Sequence, residues 1–351
     1  CGRPDARARG IGHAAAMPVP ARLTSGPLLG TDFPLPLESP FTPAMAHAAG
    51  ITRAVLARLL RDGYVRRMLR GVYVPAQVVD GLSLRASALH LVVPRHAVVT
   101  DWTAVWLFTG LLPPNDHLRV PPVSMFLPAG KGRLRNALCR SGERSFLGRD
   151  LMTVGGLRVT TPLRTAWDMG RLTHRDSAIS ALDALLGEGS FTRPELLGGL
   201  ERFRGQRGVV QLRQLAPLAD MRAESPAESV LRLRWLDLTS LPRPRPQVPV
   251  LDDDGFELFR LDLGVEELCF AVEYDGEEFH SRPEDLLHDA RRREWIRRER
   301  GWVIEVVRRE NVFGATRDVE EILHRGVREA RRRLAAPHKA PGPADAPGRR
   351  S

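Results

Sequence analysis

The chain has 351 residues, 43% of them hydrophobic, and a net charge of +10 from 52 Lys and Arg against 42 Asp and Glu. That length allows two or three domains with buried cores. The three cysteines (Cys1, Cys139, Cys269) lie far apart and form no CxxC or Cys/His pair, so neither a disulfide framework nor a zinc knuckle is supported, and no run of about 18 apolar residues exists to span a bilayer. The positive excess points to a polyanionic partner, nucleic acid first, because a protein that neutralises phosphates gains affinity from released counterions. Only Lys131 and Lys339 are lysines, so that charge is almost all arginine.

The opening residues lack the apolar core of a signal peptide, and cysteine usage fits a reducing compartment, so a soluble cytoplasmic protein is expected. The first methionine is Met17, and the segment before it is expected to carry little of the fold. Residues 1–39 and 337–351 mix Gly, Pro, Ala and Arg without periodicity and read as disordered ends.

Thr42 with Pro43 predicts the start of a short helix that stops at Gly50, and Thr52 predicts the cap of a second that stops at Gly63. In the second, Val55, Leu56, Leu59 and Leu60 make an apolar stripe at helical spacing. YVRRMLRGVYV then predicts a small hairpin bent at Gly71. This run, FTPAMAHAAGITRAVLARLLRDGYVRRMLRGVYV, resembles the winged-helix domain of AbiEi-type antitoxin proteins, and residues 40–77 are read as that domain. The resemblance implies a second helix in the major groove and a hairpin wing on the backbone, with Arg53, Arg58, Arg66, Arg67 and Arg70 near phosphates. It also implies a partner toxin. The plainer alternative is a solvated arginine face on a module that packs internally.

Residues 78–220 read as a mixed α/β middle domain, similar to the region commonly attached to that module. Trp102 and Trp106, and likewise Arg164 and Asp168, are spaced i, i+4, which predicts core packing for the first pair and a helical ion pair for the second.

From Ser225 the order becomes helix, strand, strand, strand, helix, strand, and residues 221–336 are read as a further domain. Ser225, Pro226 and Glu228 have the spacing of a capping box. The strand near 258–265 carries Asp262; the next carries Glu273, with Asp275 after it and Gly276 for the turn. Carboxylates gathered at strand ends are costly unless a cation neutralises them, and an all-oxygen site selects magnesium or manganese. Exposed strand and turn acids are the alternative.

The segment resembles the very-short-patch-repair-like branch of the PD-(D/E)xK nuclease superfamily, through SPAES at 225–229, RLD at 260–262, AVEYDGEEFH at 271–280 and DARR at 289–292. The resemblance implies a restriction-endonuclease-like mixed sheet flanked by helices, metal held by Glu228, Asp262, Glu273 and Asp275, and His280 and Asp289 nearby. The superfamily's lysine would fall at Asp275, so its role is unfilled, and Gln247 or His280 is the candidate to orient water. The helix near 283–300 is strongly basic, with Arg291 and Arg292 as DNA-contact candidates and Leu286, Leu287, Ala290 and Trp295 or Ile296 left for burial. Three functions are expected: metal-dependent DNA hydrolysis in defence or repair, non-catalytic regulation of a toxin-antitoxin or phage-defence operon, or a repair or mobile-element accessory that binds DNA ends without cutting. No segment specifies an oligomeric interface.

Overall fold

A computed structural model describes residues 23, 26–114, 122–135, 139–276 and 283–336, with side chains from 287 onward in the last stretch. The described residues form a mixed α/β, multidomain protein with twelve α-helices and several sheets. Contacts divide the chain into two compact units, residues 1–103 with 118–160 and residues 104–117 with 161–351.

The first unit opens with α1 (Pro43–Ala48) and α2 (Arg53–Arg61). Both start where the threonines predict: the hydroxyls of Thr42 and Thr52 accept from the backbone N–H of Met45 and Val55, each at 3.3 Å. Strands β1 (Val65–Leu69) and β2 (Val72–Pro75) pair antiparallel around Arg70 and Gly71, and Gly71 takes a φ of 80°, which a side chain would resist. Phe41 adds a third piece of strand by exchanging two backbone hydrogen bonds with Tyr73 at 2.8 and 2.9 Å. Val55, Leu56 and Leu59 turn inward onto Phe41, Val65 and Tyr73. Leu29 and Phe33 join the same core, so residues 26–39 are packed structure and not the disordered leader expected from their Gly and Pro content. Residues 1–22 and the tail 337–351 lie outside the described residues.

The chain continues through α3 (Leu82–His90), β3 (Val98–Val99), α4 (Asp101–Thr109), β4 (Val123–Pro128), β5 (Cys139–Arg140), β6 (Glu143–Arg144), β7 (Leu151–Val154) and β8 (Leu157–Thr160). Its strands form a sheet in the order β5-β4-β3-β8-β7, with β6 also paired to β4. Trp106 is buried and Trp102 half-buried, as expected for core residues.

The second unit holds α5 (Pro162–Leu172), α6 (Arg175–Gly187), α7 (Arg193–Gly198) and α8 (Val209–Leu215), then α9 (Pro226–Asp237), β9 (Arg245–Leu251), β10 (Glu257–Val265), β11 (Phe270–Tyr274), α10 (Pro283–Glu299), β12 (Val303–Val307), α11 (Arg309–Val312) and α12 (Val319–Ala335). Arg164 and Asp168 pair at 2.8 Å in the core, where Arg171 reaches the same carboxylate at 2.8 Å. From α9 to β12 the elements follow the order read from the sequence. The sheet runs β12-β11-β10-β9; β9, β10 and β11 are antiparallel, and α10 crosses over so that β12 lies parallel to β11. Its edge strands are β12 and β9, and β9 carries Pro246 and Pro249.

Period-two alternation along β11 sends Phe270 and Val272 into one core, with Val230 and Trp235 of α9 and Leu323 and Val327 of α12, and Ala271 into another, with Ile296 and Trp302. Gly326 of α12 permits the first contact, since a Cβ there would stand 2.3 Å from the Phe270 ring. The inner face of α10 departs from expectation: Ile296 is buried, but Leu287 is 59% exposed and Trp295 37%. Half-buried arginines take the inward positions instead, for a reason given below.

On its other side α9 meets α6. Arg232 makes a two-pronged ion pair with Asp183 at 2.7 and 2.9 Å, both side chains about as buried as core leucines, and Arg234 pairs with Asp176. Ser180 donates to the Pro226 carbonyl at 2.9 Å. Helices expected in a separate middle domain thus pack into one unit with the C-terminal sheet. Burial pushes the Asp183 carboxyl above its usual range, and Arg232 and the Asp220 N–H pull it back. Removing one partner leaves a buried charge uncompensated, so Arg232→Ala is expected to cost about 3–5 kcal/mol in urea unfolding. Arg175→Ala, which breaks a half-exposed pair with Asp237, should cost less than about 1 kcal/mol.

Candidate functional site

Two places gather side chains beyond the needs of packing, one in each unit. The first is the outer face of α2. Because Val55, Leu56 and Leu59 are committed to the core, helical geometry leaves Arg53, Ala54, Ala57, Arg58 and Arg61 on one exposed stripe. Arg58 is tied loosely to Asp62 at 3.3 Å. On the adjoining hairpin Arg67 and Arg70 are exposed, but Arg66 is half-buried and donates to the Val78 carbonyl at 3.0 Å. Arg67 rests on Tyr73, 5.6 Å from the ring centre, with its Nη2 3.4 Å from the hydroxyl. The five arginines expected at phosphates therefore differ in kind: Arg53, Arg58, Arg67 and Arg70 are exposed, while Arg66 serves the fold. Arg61, which no motif singled out, lies on the exposed stripe; its helical spacing from Arg53 and Ala57 was the available signal.

The second place is the end of the C-terminal sheet. Ser225 caps α9 as predicted, accepting from the Glu228 N–H at 3.1 Å. The reciprocal bond of a capping box goes elsewhere: Glu228 Oε2 accepts from the Glu224 N–H at 3.1 Å and from the Gln247 side-chain amide at 2.9 Å. Gln247 makes that reach from a left-handed backbone, φ 54°, a conformation that costs a non-glycine residue about 1 kcal/mol or more. The sheet's alternation breaks beside it, since Leu261 packs with Ile296 whereas Leu263, two residues on, packs with Trp235. Between them Asp262 accepts from the Tyr274 N–H at 2.8 Å.

Glu273, only 4% exposed, is held by two arginines of α10, Arg292 at 2.6 Å and Arg293 at 3.3 Å. These are the half-buried arginines that displace apolar residues from the helix's inner face. Arg292, expected at DNA, is thus engaged with Glu273, while Arg291 is exposed beside it. Asp275 pairs with Arg308 at 3.2 Å. His280 lies outside the described residues.

Asp262 feels the charges of both Glu228 and Glu273. The Asp262 carboxyl is pushed up to about 7, first by burial and then by the charge of Glu228, with Glu273 adding to it and the Tyr274 N–H and Arg292 opposing. Burial likewise raises Glu228, against hydrogen bonds from Ser225, Glu224 and Gln247. Oxygen donors of this kind suit a hard divalent cation. Among the described residues, however, no three acidic, His or Cys side chains stand close enough to hold one ion, and Glu273 is already neutralised by arginine.

Comparison with known families places the first site in context. Residues 38–76 match the family model described as "Transcriptional regulator, AbiEi antitoxin", and residues 96–218 match "AbiEi antitoxin C-terminal domain". The chain thus carries segments similar to both domains of AbiEi-type antitoxins. Over 266 residues it is 34% identical to the uncharacterized Mycobacterium tuberculosis protein named Rv2248 in strain H37Rv and MT2308 in strain CDC 1551, covering 74% of this chain and 93% of the relative. The chain belongs to the family of that mycobacterial protein.

The raised Asp262 carboxyl has a measurable consequence. Its folded value exceeds the ordinary carboxylate value, so between about pH 4 and pH 7 the folded state holds a proton that the unfolded chain releases, and stability falls as pH rises through that window. Asp262→Asn cannot ionise. Its stability relative to the parent should climb between pH 5 and pH 8 by on the order of 2–4 kcal/mol in urea unfolding. A difference that stays flat with pH would show that Asp262 ionises at its normal value.

Proposed function

We propose that the chain is a DNA-binding transcriptional regulator of the antitoxin type, acting on an operon that also encodes its toxin. The observation that carries this reading is the exposed stripe of α2, Arg53 to Arg61, set beside the arginine-bearing β1–β2 hairpin within a segment that matches a transcriptional-regulator family. Helix, turn, helix and hairpin in that order support a winged helix, with α2 entering the major groove and the hairpin as the wing. Arginine suits the wing because its fork binds phosphate oxygens in pairs and stays charged at every accessible pH.

Purified full-length protein is expected to bind the DNA upstream of its own gene with an affinity that falls steeply with salt. Four or five phosphate contacts correspond to a slope of about −4 in log K against log salt. Arg61→Ala combined with Arg70→Ala should shrink that slope by about 2. Salt-insensitive binding would sink the reading.

A second reading rests on Glu228, Asp262 and Glu273: the C-terminal sheet as a nuclease of the restriction-endonuclease type. Helix, three strands, crossover helix and parallel strand in that order are compatible with such a fold. The raised Asp262 carboxyl supports it, since a buried acid that resists ionising is a place where a cation is favoured. A magnesium or manganese ion there would polarise a phosphodiester and acidify water. Against it stand the arginines on Glu273 and the aspartate at the place of the lysine. Supercoiled plasmid nicked in magnesium or manganese, and spared by Glu273→Ala prepared in parallel, would establish this reading. Intact plasmid under conditions of tight binding would leave the regulator alone.

A further inference from the structure

The exposed stripe of α2 is not uniform, and its unevenness carries information. Arg53, Ala57 and Arg61 lie in one row along the helix, at i, i+4 and i+8, and Ala54 and Arg58 in the neighbouring row. Every one of the five is exposed, and the helix is anchored from behind by Val55, Leu56 and Leu59. From Arg53 to Arg61 the stripe spans about 12 Å at ~1.5 Å per residue, close to the width of the DNA major groove. Arg53 and Arg61 have no ion pair or hydrogen-bond partner among the described residues, unlike Arg58, which leans on Asp62, Arg66, which donates to the Val78 carbonyl, and Arg67, which rests on Tyr73. The two alanines between the arginines remove everything beyond Cβ from the middle of the stripe. A phosphate-tracking face has no need of such a gap. A face that must approach base edges does, because long side chains there would hold the helix away from them.

Resting on the DNA-binding reading above, we infer that α2 reads sequence through Arg53, Ala54 and Ala57, and holds phosphate through Arg58 and Arg61. Arg53 stands in the first turn, the part of a recognition helix that meets base edges, and its fork matches the O6 and N7 acceptors of guanine. Ala54 and Ala57 offer methyl groups of the size that pack against the C5-methyl of thymine. The recognised class is therefore a duplex whose site holds a guanine next to thymine.

The test is selection of binding sites from a random duplex library by the full-length protein, followed by titration of the selected duplex, its single-base variants and a scrambled duplex. Arg53→Ala is expected to weaken the selected site about ten- to a hundredfold and to flatten the preference at one guanine, leaving scrambled DNA nearly unchanged. Arg61→Ala should weaken selected and scrambled duplexes by the same factor and lower the salt slope by about 1. Ala57→Gln, on an exposed position, should abolish the preference for thymine while retaining the binding of scrambled DNA. Equal loss on all duplexes for Arg53→Ala, with the base profile intact, would overturn the assignment while leaving DNA binding standing. A wild-type protein that enriches no site overturns the assignment and the regulator reading together.

Discussion

Much of the second unit hangs on α9 and the two charged pairs it sends across to α6. One side of this helix offers Val230, Leu231 and Trp235 to the sheet core, and the other offers Arg232 and Arg234 to Asp183 and Asp176. A helix buried on both sides normally reads as apolar all round. Here half of the burial is ionic, and an ion pair tolerates only one register: displacing α9 by a turn would leave four charges buried without partners. The pairing thereby fixes where Ser225 and Glu228, at the start of the helix, stand relative to β9 and β10. The carboxylate end of the sheet inherits its geometry from a contact on the far side of the same helix.

That inheritance makes the sheet end an electrostatic compromise. Glu228 and Glu273 raise the cost of ionising Asp262, burial raises that of Glu228, and the protein meets these costs three ways. Backbone N–H groups of Glu224 and Tyr274 point at two of the acids, the Gln247 amide reinforces the first, and Arg292 with Arg293 covers the third. Gln247 holds a strained backbone while it does so, the kind of local cost that persists where the surroundings over-determine a residue. In the first unit the balance is opposite: arginines face solvent with few acids to answer them, and the long-range field there attracts anions.

Local chemistry was what the sequence made legible. The threonine and serine caps, the bend at Gly71 and the strand order around Asp262 all depend on neighbours within a few residues, and each appears where its local signal placed it. The inner face of α10 is not legible in the sequence because Arg292 and Arg293 look like solvated charge until Glu273, about twenty positions earlier, is seen beneath them. The same holds for Arg66, whose partner is a carbonyl beyond the hairpin, and for Leu29 and Phe33, whose surroundings of Gly and Pro hide their burial. Arg61 is legible only from helical spacing, since it shares the exposed row of Arg53 and Ala57. Pairings distant in sequence leave no trace in composition or periodicity.

The prolines of β9 have a bearing on how copies of this protein meet. A free sheet edge is an invitation to another chain, since its unpaired N–H and C=O groups can template a further strand. Pro246 and Pro249 each lack the N–H, and the left-handed turn at Gln247 between them bends the line of carbonyls. Two prolines within four residues leave that edge with fewer donors for an incoming strand. An arginine-rich chain with such an edge meets its own copies through side chains more readily than through strand pairing at β9.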